Sequence, residues 1–296
     1  MRLAILSDVH GNLPALEAVL ADARSHGVDG YVVAGDLALG GPFPVETLER
    51  LRALNPWMIR GNNEGYFDDY RSGAKKALRS RSQWAMLRWT HAQLGQEALD
   101  FLAALPATLK ITPPGAGALC VVHGSHRSAF EGIQPPDPDV QRKFAQAQVT
   151  APLSVEAALA QTATAVLICG HTHIAWQHRV DGQLALNPGA VGGPIDGVVG
   201  AEYALLTWDG ARWTAELRVV DYDMDRLRAA FHDRGLFGTA GPMARALLRS
   251  VETGQNYAWF FVLHAQALAA QAGLGDDEAI PDEIWERAAT TFNWET

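Results

Sequence analysis

The chain has 296 residues, of which 48% are hydrophobic and 19% charged, with a formal net charge of −9. This balance is typical of a soluble globular protein, and the length suits one large α/β domain with an appendage. The negative charge argues against non-specific nucleic-acid binding, which depends on a positive surface. No uninterrupted apolar segment approaches the roughly 18 residues that a membrane span needs, so we expect no membrane partner.

The N-terminus and the cysteines predict a cytoplasmic protein. A predicted strand begins at Leu3, which leaves no room for a signal peptide before it. Cys120 and Cys169 each lie inside an apolar run and not in a paired Cys-x-x-Cys framework. We therefore expect two buried free thiols in a reducing compartment.

Five short apolar runs each end at a side chain that can bind a metal. In chain order, the runs are 3–6, 31–34, 57–59, 119–122 and 166–169. Short β-branched runs bounded by glycine predict buried strands. The side chains that follow these runs are Asp8, His10, Asp36, Asn62, His123, His171 and His173. Because open α/β sheets bind ligands at the carboxyl ends of their strands, we expect these side chains to form one site.

The segments between the runs predict helices and loops. Apolar residues at helical spacing predict helices over 13–26, 46–54 and 155–159, and residues 135–139 read as a loop. Residues 70–96 contain six Lys or Arg and no acidic residue. This basic segment is either a solvated helical face or a surface that attracts a polyanionic substrate.

After the fifth run, the apolar pattern alternates with period two. Asp181-Gly182 and Asp209-Gly210 predict hairpin turns between strands, and residues 115–117 predict another. Two groups of strands with helices outside them predict an α/β fold of two mixed β-sheets packed face to face between helical layers. From residue 221 the sequence becomes rich in Ala, Leu and Arg at helical spacing. We therefore divide the chain into a 1–220 domain and a 221–296 helical appendage.

Carboxylate, imidazole and amide ligands without a thiolate suit hard to borderline divalent ions. Seven protein ligands are too many for one ion with an open position and suit two. Asp36 stands alone at its strand end and is the candidate bridge between them. Taken singly, Asp8 and Asp36 could be helix N-caps, and each histidine could be structural. Their joint position at five strand ends favours a metal site that can clamp a phosphoryl group.

Five sequence blocks carry these side chains: Asp8-Val9-His10-Gly11-Asn12, Gly35-Asp36, Gly61-Asn62-Asn63-Glu64, Val122-His123-Gly124 and Gly170-His171-Thr172-His173. In this order and spacing they resemble the calcineurin-like metallophosphoesterases, within which the chain is similar to the small bacterial phosphodiesterase-type branch. The resemblance covers about residues 1–220 and implies a four-layer αββα sandwich that binds two divalent ions. It implies that Asp8, His10, Asp36 and His173 hold the first ion, and that Asp36, Asn62, His123 and His171 hold the second. Mn is the first candidate, with Fe, Ni, Co and Zn as alternatives.

One position departs from the family pattern. Many members have His after the metal-binding Asn, where it protonates the leaving group, but here that residue is Asn63. Members without this His tend to hydrolyse phosphodiesters or nucleotide-like substrates. His126 is a candidate replacement donor and Arg127 a candidate phosphate ligand, although both could simply face solvent. By the same resemblance, Asn12, Asn62 and Asn63 are candidates for positioning phosphate. The loop 187–192 resembles an Asn-Pro-Gly block of these phosphodiesterases, although a plain turn is the competing account.

The resemblance implies a dinuclear metal-dependent phosphoesterase in which a metal-bridging hydroxide attacks phosphorus. The expected substrate is a small phosphodiester or phosphoanhydride of nucleotide type. The alternatives are a phosphomonoesterase or protein phosphatase of the same family, and a non-catalytic scaffold with the phosphoesterase fold. The C-terminal helices could form a homo-oligomer interface.

Overall fold

The computed structural model of the chain describes residues 1–275 and 279–295. Its strands are β1 (Arg2–Leu6), β2 (Gly30–Val33), β3 (Trp57–Met58), β4 (Thr108–Ile111), β5 (Leu119–Val122), β6 (Ile133–Gln134), β7 (Leu153–Ser154), β8 (Val166–Ile168), β9 (Trp176–Val180), β10 (Gln183–Asn187), β11 (Ala201–Trp208) and β12 (Trp213–Val220). Its helices are α1 (Leu13–Ser25), α2 (Pro44–Arg52), α3 (Asn62–Ser72), α4 (Lys76–Ser80), α5 (Ala85–Gln93), α6 (Gln96–Ala104), α7 (Pro138–Gln146), α8 (Val155–Leu159), α9 (Met224–Asp233), α10 (Leu236–Thr239), α11 (Gly241–Thr253), α12 (Tyr257–Gln271) and α13 (Asp282–Thr291).

Two five-stranded mixed sheets form the centre of the fold, with strand orders β12-β11-β1-β2-β3 and β4-β5-β8-β10-β9. In the first sheet β1, β2 and β3 are parallel, and β11 and β12 join as antiparallel strands. In the second, β5, β8 and β10 are parallel, with β4 and β9 antiparallel at the edges. The parallel strands end where the predicted ligands begin.

Alternating side chains on β1 show why the sheets form a four-layer sandwich. Leu3 and Ile5 pack in a core between the sheets, together with Leu186 of β10. Ala4 and Leu6 point the other way, into the core under α1 and α2. Burying each large aliphatic side chain stabilises the fold by roughly 1.5–3 kcal/mol. A register slip of one residue would turn Leu3 and Ile5 into the core that Ala4 and Leu6 fill, and the reverse, so packing on both faces specifies the pairing. This arrangement confirms the predicted fold class.

The two Asp-Gly hairpins are confirmed. At the β9–β10 turn, Asp181 and Gly182 have φ of 48° and 86°, the left-handed pair that a tight hairpin needs. The predicted loop over 135–139 is wrong at its end, because α7 begins at Pro138. The Asp137 side chain accepts hydrogen bonds from the first-turn N–H groups, and Pro is favoured at the first helical position. That capping pattern was present in the sequence.

The helices after residue 221 pack onto the basic segment, with residues 276–278 and 296 lying outside the described part. Met86 and Trp89 of α5 share one apolar core with Leu227, Phe231 and Ala244 of α9 and α11. Within the described ranges, none of the helices has the length and hydropathy needed to cross a membrane. The division at residues 220 and 221 stays a prediction. Cys120 and Cys169 are buried free thiols, as predicted.

Candidate metal centre

Five of the seven predicted ligand positions have left-handed backbone. The φ angles are 53° at Asp8, 51° at His10, 56° at Asp36, 69° at His171 and 55° at His173. Each such conformation costs a non-glycine residue about 1–3 kcal/mol and persists only where the surroundings enforce it. Here the loop after β1 is fastened to the loop after β2, because the Asp8 and His10 N–H groups donate to Gly35 and Asp36 carbonyls at 3.1 and 3.0 Å. Strain of this kind clusters at functional sites.

The ligands form two adjacent groups. In the first, His173 Nε2 lies 3.0 Å from His10 Nε2 and 3.2 Å from Asp8 Oδ1. In the second, Asn62 Oδ1 lies 2.9 Å from both His123 Nε2 and His171 Nδ1.

Asp36 lies between these two groups. Its Oδ2 is 3.9 Å from His10 Nε2 in the first group, and its Oδ1 is 3.4 Å from His123 Nε2 in the second. The structure therefore places one oxygen of Asp36 toward each group. Asp8 Oδ1, which belongs to the first group, also lies 3.9 Å from His123 Nε2 in the second.

Backbone carbonyls determine which ring nitrogen of each histidine faces the site. The Nδ1 atoms of His10, His123 and His173 donate to Leu39, Ala34 and Gly193 carbonyls at 2.7, 2.7 and 2.8 Å. His171 uses the opposite nitrogen, with Nε2 3.1 Å from the Phe130 carbonyl. Such contacts orient metal-binding histidines in proteins. When a ring is neutral, as a metal ligand must be, its other nitrogen presents a lone pair to the site.

The acceptor atoms that face the site fit bound cations. With all four rings neutral, His10 and His173 direct two lone pairs at one another across 3.0 Å, and Asn62 Oδ1 faces two further acceptor nitrogens. Asp8 Oδ1 is buried and has no hydrogen-bond partner within the described residues. Acceptors so close together repel unless positive charge lies between them. The donor set therefore fits two divalent ions, and Asp8 with His10 and His173 already lies within metal-binding distance.

The pKa shifts follow the same charge pattern. Burial opposes ionisation of Asp8, yet His173 and His123 hold its pKa well below the usual range. Burial also opposes protonation of His123, but the Asp36 and Asp8 carboxylates raise its pKa to about 10. Without metal, the two carboxylates are therefore ionised and His123 is protonated at neutral pH, so an ion that binds His123 Nε2 would displace that proton.

Glu64 supports the ligands from beneath, a role that sequence reasoning missed. Its buried carboxylate accepts the Asp36, Leu37 and Gly61 N–H groups at 3.1, 2.9 and 2.7 Å. One side chain therefore ties the loop after β2 to the start of α3, and so orients Asp36 relative to Asn62. Burial, followed by the nearby Asp36 charge, raises the pKa of Glu64.

We expect Glu64→Gln to weaken metal binding about 10–100-fold, the effect typical of losing a group that orients ligands. The amide NH₂ would face backbone N–H donors and could not accept all of their hydrogen bonds. Calorimetric titration of the metal-free protein with Mn²⁺ measures this directly. The control is Glu49→Gln, which changes an exposed carboxylate on α2. Unchanged Mn²⁺ affinity in Glu64→Gln would contradict the positioning role.

Two glycines let the ligand loops approach one another. A Cβ at Gly61 would lie 2.1 Å from Asp36 Oδ1, and a Cβ at Gly170 would lie 2.0 Å from Ser7 Oγ. Contacts this short exclude any side chain at these positions. These glycines therefore permit the ligands after β2, β3 and β8 to converge.

The loop after β10 supports the same site through its backbone. The Asn187 side chain donates to the Gly170 carbonyl at 2.7 Å and to Thr172 Oγ1 at 3.0 Å, which holds the histidine loop in place. The Gly192 N–H donates to the Asp8 carbonyl at 2.9 Å. The loop thus approaches the ligands closely and holds the loops after β1 and β8 in position.

Asn12 and Asn63 both lie at the metal centre, but their environments differ. Asn12 caps α1, accepting from Ala15 N, and its amide donates to the Gly192 carbonyl and the Tyr222 hydroxyl. Its polar atoms are therefore already used within the protein. Asn63 Oδ1 accepts from Asn62 Nδ2 at 3.1 Å, and Asn63 Nδ2 lies 3.2 Å from His10 Nδ1. Both asparagines line the adjoining cavity, and Asn63 is the one in direct contact with metal-ligand side chains.

His126 and Arg127 do not line the cavity beside the metal ligands in the described part of the chain. His126 Nε2 lies 3.4 Å from Cys120 Sγ, on the face of β5 that packs toward α7 and α8. Arg127 is paired with Glu131. The structure therefore does not bring these two side chains together with the metal ligands.

The basic segment uses most of its cations within the fold. The Arg79 guanidinium donates to the Tyr70 and Arg71 carbonyls at the end of α3, and Arg88 donates to the Leu78 and Arg81 carbonyls. These contacts give the cations a structural role in holding α3, α4 and α5 together. Four of the six cations of the segment are nevertheless exposed, which agrees with a solvated helical face: Arg71, Lys75, Lys76 and Arg79.

The comparisons with known proteins agree with this fold. Residues 1–211 match the calcineurin-like phosphoesterase superfamily domain. The chain belongs to the calcineurin-like phosphoesterase superfamily, a class of metal-dependent phosphoester hydrolases. The uncharacterized protein MJ0912 of Methanocaldococcus jannaschii is 26% identical over 242 residues, which span 76% of this chain and 89% of that protein.

Two solved structures share the fold over most of their length. A metallophosphoesterase from Sphaerobacter thermophilus superposes with a TM-score of 0.62 at 28% identity, covering 86% of this chain and 100% of that chain. The protein PH1004 from Pyrococcus horikoshii OT3 superposes with a TM-score of 0.66 at 20% identity, covering 86% and 98%. The similarity therefore extends past the family domain into the C-terminal helices.

Proposed function

We propose that the protein is a dinuclear metal-dependent hydrolase of a phosphodiester or phosphoanhydride. The observation that carries this proposal is the pair of ligand groups that share Asp36. Two divalent ions bound in this way supply a nucleophile from water near neutral pH and neutralise charge on the phosphoryl group. Mn is the first ion to test, because carboxylate, imidazole and amide donors suit it.

The residues of the chain bind and orient the phosphoryl group. Asn63 projects into the cavity beside His10 and presents an uncharged amide to the phosphoryl oxygens. Glu64 and the Asn187 loop keep the ligand loops in register, so the ligands need little rearrangement during the reaction. Catalysis of phosphoryl transfer depends mainly on this kind of positioning and charge neutralisation.

The proposed preference for diesters or anhydrides follows from the lack of a side chain that can protonate the leaving group. Asn63 has no titratable proton near neutral pH, and His126 faces Cys120. Without a proton donor, substrates whose leaving group departs as a stable anion react fastest, and an alkoxide leaves poorly. We therefore propose aryl or otherwise activated diesters and phosphoanhydrides ahead of alkyl monoesters. A nucleotide-type substrate remains one candidate within this class.

A hydrolysis screen with Mn²⁺ tests the proposal. We expect nitrophenyl diesters or dinucleoside polyphosphates to give higher kcat/KM than alkyl monoesters, and excess chelator to abolish all turnover. Preference for alkyl monoesters would favour the phosphomonoesterase alternative. A purified protein that binds two Mn²⁺ ions but hydrolyses none of these substrates would favour the scaffold alternative.

A further inference from the structure

A cavity of about 640 Å³ extends from the metal centre to the C-terminal helices. His10, Asn62 and His171 lie at its metal end. Its opposite wall consists of apolar side chains from three helices, which are Met86 and Leu87 of α5, Leu227 and Phe231 of α9, and Met243, Leu247 and Val251 of α11. Small-molecule sites typically have volumes of about 300–1,000 Å³. The cavity therefore has room for a substrate group beyond the phosphate.

The cavity wall carries no charge to match a second anionic group. Within the described residues, no Lys, Arg, Asp or Glu lines it. A further phosphate would have to leave water without gaining the charge-assisted hydrogen bonds that bind phosphates in proteins. The wall therefore disfavours a long polyphosphate in this direction.

The polar groups on the far wall are largely used within the protein. The Ser250 hydroxyl donates to the Ala246 carbonyl at 3.0 Å and accepts from the Ala258 N–H at 3.0 Å. The Asn256 amide donates to the Ala147 carbonyl at 3.0 Å. A hydrogen-bonding group placed here would lose its bonds to water, at a cost of about 1–3 kcal/mol for each group left unpaired. A hydrocarbon loses none.

An aromatic cluster connects the metal end of the cavity to the apolar wall. The Tyr66 ring lies 5.0 Å from the Trp84 ring and 5.8 Å from the Phe130 ring, and all three line the cavity. Phe130 also meets the metal ligand His171 edge-on at 6.5 Å. The apolar surface is thus continuous from the second ligand group to α11.

We propose that the substrate carries an uncharged, hydrocarbon-rich group on its phosphate, such as a long alkyl chain, and that this group lies against α5, α9 and α11. This inference rests on the proposed function and names the substrate class for the same site. The C-terminal helices then select the substrate by forming the cavity wall.

A series of p-nitrophenyl alkyl phosphodiesters with methyl, butyl and octyl groups tests the inference. All three release the same nitrophenolate, so only the alkyl group changes. With Mn²⁺, we expect kcat/KM to rise about fourfold for each added methylene until the wall is filled, mainly through a lower KM. A flat series, or a preference for the thymidine 5′-nitrophenyl ester over the octyl ester, would overturn the inference.

Two wall substitutions and a matched control locate the effect. Leu247→Gln and Met243→Gln should each lower the octyl-to-methyl ratio of kcat/KM at least tenfold. Leu268→Gln makes the same change on α12 at a half-buried position outside the cavity lining, and should keep the wild-type ratio. If the control and the wall variants change the ratio equally, the wall does not select the alkyl group.

A binding measurement without metal separates this inference from the proposed function. In excess chelator, calorimetry should detect 1-octanol binding to the wild type, with affinity reduced at least tenfold in Leu247→Gln. If the methyl ester is hydrolysed but chain length has no effect and octanol does not bind, the phosphodiesterase proposal stands and the inference is overturned. Octanol binding without hydrolysis of any ester would overturn the proposed function and preserve the apolar site.

Discussion

Asp36→Asn should reduce phosphodiester hydrolysis by at least about 10²–10³-fold, the loss typical of removing one group that stabilises the transition state. The reason is positional, because Asp36 directs one carboxylate oxygen toward each ligand group. The amide removes the shared negative charge and places an NH₂ group where one lone pair was required. We expect metal content after loading with Mn²⁺ to fall below two ions per chain. Activity measured at saturating Mn²⁺, together with elemental analysis, checks both effects.

Asp233→Asn provides the control for Asp36→Asn, since Asp233 is an exposed carboxylate at the end of α9. It should retain wild-type activity and metal content. Full activity of the wild type in excess chelator would contradict the metal requirement. Less than one ion per wild-type chain after loading would contradict the dinuclear site.

Asn63→His should raise alkyl monoester hydrolysis by up to about 10²-fold, because a positioned acid typically contributes 10²–10⁴-fold when the leaving oxygen needs a proton. Asn63 lines the cavity beside His10, and its backbone N–H, which any residue retains, donates to Asp36 Oδ1 at 2.9 Å. An imidazole with an ordinary pKa near 6.5 can donate a proton there near neutral pH. Nitrophenyl diesters, whose leaving group needs no proton, should change little.

Asn63→Gln separates proton donation from a change of size. Glutamine lengthens the side chain but supplies no titratable proton, so it should leave the monoester-to-diester ratio near that of the wild type. An equal gain in Asn63→Gln and Asn63→His would show that shape limits monoester hydrolysis. A wild type that already prefers alkyl monoesters would contradict the argument from the missing acid.

The fold and the ligand cluster could be predicted because both depend on local patterns. Each ligand directly follows a short apolar run, and parallel strands bring such positions to one edge of a sheet. The direction of His126 could not be predicted, because nearness along the chain does not determine where a side chain points. His123 directly follows β5 at the metal centre, but three residues later the loop has turned His126 toward Cys120 on the opposite face.

Long-range contacts could not be predicted in the same way. Glu64 bonds to Leu37, 27 residues earlier, and its own sequence block gives no sign of that partner. The apolar positions of α5, α9 and α11 predict amphipathic helices, but periodicity does not distinguish a side chain in a packed core from one that faces a cavity. The cavity becomes visible only when these helices are placed beside the metal ligands.

The apolar core that α5 shares with α9 and α11 has a consequence for cooperativity. Trp89 of the basic segment and Leu227 and Phe231 beyond residue 220 are buried against the same neighbours. Cutting the chain near residue 220 would expose these apolar faces to water. It would also remove the α9 and α11 side chains that line the cavity beside the metal ligands. The two parts should therefore unfold in one transition, so that loosening α11 at its distant end also loosens the substrate side of the metal centre.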